Sequence, residues 1–150
     1  MPLLVYANYF SYHTTINKNC LVVVSAGNAG TQDDSYPASF KYAFSVANTQ
    51  SNDALNSSSQ YGYNVDVCAP GTSIYATVPG GYQAQTGTSM AAPCVAGAAG
   101  IVKAFYPSYN GMQGGDLKSL IGLNEDITGR TVIILEDIIE KKLAEFTWLK

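Results

Sequence analysis

Residues 85 to 96 read QTGTSMAAPCVA. One hydroxyl, Ser89, stands between a Gly-Thr pair and a run of small residues broken by Pro93. Proline cannot donate to the carbonyl four residues back, and its ring clashes with that carbonyl. The carbonyl four back is that of Ser89. This puts Ser89 at or just outside the first turn of a helix predicted over 89–105. Its hydroxyl and N–H then face the positive end of the helix dipole. Negative charge developing on a substrate oxygen would be stabilised there. Gly87 lets the preceding chain turn sharply and lets a substrate come close. Two roles fit this position. Ser is a favoured N-cap, and a hydroxyl at a helix mouth can also be a nucleophile. A second side chain of interest is Asn28, in VVVSAGN. An amide ending a rigid strand can be aimed at an oxyanion without reorganising. It can equally be a turn residue, since Asn tolerates the left-handed conformation.

The elements that must position these two groups are legible as alternation of type. CLVVVSA, 20–26, is a β-branched run closed by Gly27, as in a strand buried on both faces of a parallel sheet. Residues 3–17 carry a helical pattern that leads into it, which makes half of an α/β unit. YAFSVANT, 42–49, is a second apolar strand. VDVCAPG, SIYATV and GYQAQTG are short strands split by Pro70-Gly71 and Pro79-Gly80-Gly81. The long helix follows. Gly97 and Gly100 lie inside it, each costing about 1 kcal/mol relative to Ala. That cost predicts a central helix pressed on all sides. A further helix is expected near 115–121, and 131–149 holds strong helix formers with most of the charge.

Composition narrows the function classes. The chain has 150 residues, 47% of them hydrophobic, and a net charge of -3. That suffices for a core. No Lys/Arg run exists, which argues against a nucleic-acid partner. No stretch approaches the ~18 apolar residues of a membrane span. MPLLVYANYF lacks a basic start and a small-residue cleavage site, so it does not read as a signal peptide. Cys20, Cys68 and Cys94 are scattered and, with one His, make a metal site improbable. They are expected to be small buried hydrophobes, although a single disulfide stays open. The Asn56-Ser57-Ser58 sequon is expected by chance. AGNAGT lacks the pattern of a phosphate-cradling loop.

GTSMAAP followed by VAG resembles the nucleophile segment of subtilisin-like serine peptidases, the subtilases of peptidase family S8. VVVSAGN resembles that family's strand and oxyanion-hole loop. YPAS, VDVCAPG and IYATVPGGY match intervening segments in the right order, so the likeness covers residues 5–127. The resemblance implies a three-layer α/β fold with a mostly parallel sheet, present as its C-terminal half. It implies serine endopeptidase chemistry through an acyl-enzyme. Ser89 would be the nucleophile, with Asn28 and the Ser89 N–H as oxyanion donors. Ser25, Ala26 and Gly27 would wall the substrate pocket, with Ser35 and Tyr36 near its base. Met90 would be an oxidation-sensitive neighbour. Cys94 occupies a position often filled by a non-catalytic His.

The chain departs from the family in one decisive respect. A serine needs a base, and subtilases order their triad Asp, His, Ser. Neither Asp-Ser/Thr-Gly nor His-Gly-Thr-His occurs. His13 lies just before the oxyanion strand, in the wrong place to be the base. The simplest expectation is a fragment: residues 1–127 form a partial catalytic domain, and 128–150 a divergent helical segment. An N-terminal half-domain carrying Asp and His would be the partner, and a peptide or protein the substrate. The alternative is an inactive peptide-binding or partner-packing module. No cofactor is expected. Structural calcium is common in the family, but no ligand cluster stands out. The resemblance points to an extracellular or cell-surface location.

Overall fold

The structure is a computed structural model that describes residues 20–105. The expectations for the helix at 3–17, for His13, for the helix near 115–121 and for 128–150 lie outside these residues. Three strands, β1 (Val22–Ser25), β2 (Ala43–Thr49) and β3 (Val67–Pro70), form a parallel sheet in sequence order. Ser25, the last residue of β1, and Val67, the first of β3, both pair with Val46, so β1 is offset toward the start of β2 while β2 and β3 end together at Thr49 and Pro70. β4 (Ile74–Val78) and β5 (Gly81–Gln85) make a separate antiparallel hairpin around Pro79-Gly80. The helix α1 (Thr88–Phe105) closes the described chain.

The core lies between α1 and the sheet. Ala91, Val95 and Ala99 repeat every fourth residue, so they form one stripe on α1. That stripe packs on Phe44 and Val46 of β2 and on Val67 and Ala69 of β3, with Val23 of β1 against the cluster. Alternate residues of each strand face it, as the pleat requires. β2 is buried along its whole length. Asp66 clasps its start: the Ser45 N–H donates to the Asp66 carboxylate at 2.8 Å, and the Asp66 N–H donates to the Ser45 carbonyl at 3.0 Å.

Three expectations are corrected. β1 is half-buried rather than fully buried, because it pairs only with β2 among the described residues. Gly97 and Gly100 are exposed, and a Cβ on either would meet nothing within 4 Å. They lie off the packed stripe, so no described residue presses on them. Cys68 is buried as expected, but Cys20 and Cys94 are exposed. Cys68 points away from α1 on β3, whereas Cys94 lies beside the stripe formed by Ala91 and Val95.

Candidate active site

Parallel α/β sheets gather ligands at the carboxyl ends of their strands, and the sequence-marked residues converge there. β1 runs out into Ala26, whose N–H donates to the Val46 carbonyl of β2 at 2.9 Å. Gly27 and Asn28 follow. From the other side a relay of backbone bonds reaches the helix mouth. The Gly71 N–H donates to the Thr49 carbonyl at 3.2 Å, and the Gly87 N–H to the Gly71 carbonyl at 2.9 Å. The Met90 N–H donates to the Gly87 carbonyl at 2.9 Å. Gly71 permits this approach: a Cβ there would lie 2.6 Å from Asn48 Oδ1 and 2.7 Å from the Gly87 carbonyl oxygen. Ser89 is the second residue of α1 and is exposed. Pro93 leaves the Ser89 carbonyl without an intrahelical donor, as the sequence implied.

Thr88 joins the two halves. It is fully buried, at 0% exposure. Its hydroxyl accepts from the Gly27 N–H at 3.2 Å and donates to Asn28 Oδ1 at 3.2 Å. Its own N–H donates to the same oxygen at 2.9 Å. A backbone N–H can only donate, so the amide atom facing it must be the oxygen. Asn28 Nδ2 is thereby left as an outward donor, without a partner among the described residues. Asn28 itself is exposed. The Ser89 N–H belongs to the first turn of α1, whose amides have no intrahelical acceptor. Asn28 is thus held at the mouth of α1 through Thr88, the residue that precedes Ser89. Sequence reasoning singled out Ser89 and Asn28 but passed over Thr88. The available signal was a hydroxyl residue opening the helix.

The residues marked as pocket lining are also brought together in part. Ser25 is half-buried at the end of β1, and Ala26 is buried. Gly27 has φ +117°, and a Cβ on it would fall 1.6 Å from Gln60 Oε1 and 3.1 Å from Ser35 Oγ. Ser35 is fixed by Ser39, whose hydroxyl accepts from the Ser35 N–H at 3.0 Å. Tyr36 turns outward and packs on Phe40, ring centroids 5.0 Å apart. Met90 is half-buried next to Ser89. Among the described residues no group of three His, Cys, Asp or Glu could hold a metal ion. No described helix is long and apolar enough to cross a membrane.

Comparison with known proteins agrees with this geometry. The model of the subtilase family matches residues 6–132. Subtilisin BL of Lederbergia lenta is 42% identical over 102 residues, 67% of this chain and 38% of that protein. Thermitase of Thermoactinomyces vulgaris is 51% identical over 87 residues, 57% of this chain and 31% of that protein. The crystal structure of a cold-adapted subtilisin-like serine proteinase superposes with a TM-score of 0.60 at 34% identity, covering 74% of this chain and 42% of that one. A partial α/β domain of the subtilisin-like kind, with a parallel sheet and a packed helix, is the class these features define. The chain belongs to the subtilase family, whose members are serine proteases. It spans less than half the length of the relatives it matches.

Proposed function

We propose that this chain supplies the nucleophile, the oxyanion hole and one pocket wall of a subtilase endopeptidase site. Ser89 Oγ attacks the scissile peptide carbonyl. Its proton passes to a base, the carbonyl oxygen becomes an oxyanion, and Asn28 Nδ2 and the Ser89 N–H donate to it. Collapse expels the amine, which takes the proton from the protonated base. Water then hydrolyses the acyl-enzyme. Ser25, Ala26, Gly27 and Ser35 border the side chain before the scissile bond. The observation that carries this reading is the Thr88 clamp, which fixes Asn28 Oδ1 and so frees Nδ2 as a donor beside Ser89.

The family's Asp and His motifs do not occur in these 150 residues, so an Asp/His-bearing N-terminal half must complete the site. Alone, the chain is nearly inactive. The substrate is an extended peptide or protein, and the location extracellular or cell-surface, as the family suggests. The same missing base favours a second reading: an inactive module that binds peptides or packs against a partner.

A fluorophosphonate probe separates the two. It should label Ser89 slowly in the chain alone and not in Ser89→Ala. Adding an N-terminal subtilase half with Asp and His should accelerate labelling by about 10²–10⁴-fold, the range of a general base. No labelling of Ser89 even in that mixture rules out the enzyme reading.

A further inference from the structure

Gln60 is 7% exposed, and every polar group on it can be traced. Its N–H donates to the Gly27 carbonyl at 2.9 Å. Its side-chain Nε2 donates to the Asp33 carbonyl at 2.7 Å. A carbonyl can only accept, so the amide orientation is determined: Oε1 is the atom laid against Gly27. A Cβ on Gly27 would sit only 1.6 Å from that oxygen, with Ser35 Oγ 3.1 Å away on the same side. Oε1 has no donor among the described residues. It is not sealed in either, since the buried side-chain atoms lacking a partner there are Ser45 Oγ and Asn48 Nδ2. An incoming donor can therefore pair with this oxygen, and an apolar group that displaces its water would leave it unpaired.

The position of this oxygen gives it a role. Gly27 directly precedes Asn28, and its N–H is held by Thr88, next to Ser89. A side chain lying along Gly27 therefore belongs to the residue whose carbonyl meets the oxyanion donors. We infer that Gln60 Oε1, with Ser35 Oγ beside it, selects substrates whose residue before the scissile bond ends in a hydrogen-bond donor. A glutamine amide or a lysine ammonium satisfies both oxygens. Methionine or leucine leaves Oε1 unpaired, and a glutamate sets two more acceptors against it. This inference rests on the proposed endopeptidase site but concerns its selectivity, which no general likeness to the family fixes.

Binding tests it without requiring Ser89 to react. The ¹⁵N-labelled full chain is titrated with the peptides Ac-Ala-Ala-Ala-X-NH₂, where X is Gln, Lys, Met or Glu. The Gly27 backbone amide and the Gln60 side-chain amide are followed. Gln and Lys should shift both signals with half-saturation about fivefold lower than Met, the worth of one net hydrogen bond, and Glu should bind weakest. Gln60→Met should remove the preference, and the milder Ser35→Ala should reduce it. The inference is overturned if Met or Glu binds as tightly as Gln, or if no peptide moves Gly27. The wild-type series decides even if Gln60→Met fails to fold. Ser89 labelling, scored separately, reports on the endopeptidase reading itself.

Discussion

At the scale of single residues, Thr88 has the largest effect per atom. One hydroxyl satisfies the Gly27 N–H donor and the Asn28 Oδ1 acceptor. Thr88→Val keeps the shape and removes both bonds. The Gly27 N–H is then left unpaired next to a buried site, which should cost about 1–3 kcal/mol in urea unfolding. Thr88→Ser should restore most of it. Asn28 Oδ1 then keeps only the backbone N–H of position 88, so its aim should loosen, and fluorophosphonate labelling of Ser89 in the completed enzyme should slow more than stability alone explains. Equal labelling rates in Thr88→Val and wild type would refute the clamp. For scale, loss of one oxyanion donor costs about 10²–10³ in kcat, a magnitude established in subtilisin and carried over here. These same residues show how far the sequence could be read. Ser89 and Asn28 stood out because each sits in a distinctive string. Thr88 and Gln60 did not, because their roles are bonds to residues 61 and 27 positions away. No local pattern records such a partner.

At the scale of elements, the strand and helix boundaries followed from local chemistry. β-Branched runs gave β1 and β2, and Pro-Gly pairs split β3, β4 and β5. Enclosure did not follow, since it depends on what lies beside an element rather than on its own residues. Gly97, Gly100 and Cys94 are the examples: all three are exposed. β3 carries a test of the distinction. Burial pushes the Cys68 thiol above its ordinary value of 9.0, while Cys20 and Cys94 are exposed. At pH 8 a maleimide should modify Cys20 and Cys94 in the native chain and reach Cys68 only after unfolding, as read by mass spectrometry of peptides. The linkage has a definite sign. The folded state holds the Cys68 proton more tightly than the unfolded state. Its contribution to stability is therefore complete below pH 9 and is lost as pH rises from there through the higher folded value. Cys68→Ala should flatten that alkaline loss. A native Cys68 that reacts as fast as Cys94 would contradict the burial.

At the scale of the whole molecule, among the described residues one face of α1 is packed and the other is exposed. Ala96, Gly97, Gly100, Ile101 and Ala104 are exposed, Ile101 at 53%. β1 has a strand on one side only among the described residues. Exposed strand edges and apolar faces are templates for association. With a net charge of only -3, self-repulsion is weak. Sedimentation velocity should therefore show concentration-dependent association at pH 7.5, reduced by Ile101→Lys and by an added N-terminal subtilase half. A monomer throughout, unchanged by either, would mean that this face drives no association.

The Asn28–Thr88 pairing has a further consequence in time. The two partners are separated by 60 positions in the chain. During synthesis Asn28 leaves the ribosome long before Thr88 exists. Throughout that interval the amide lacks its Thr88 anchor. Closing so long a loop is possible only once the sheet and helix have come together. The clamp is thus absent from the early nascent chain and forms only after the start of α1 has been made.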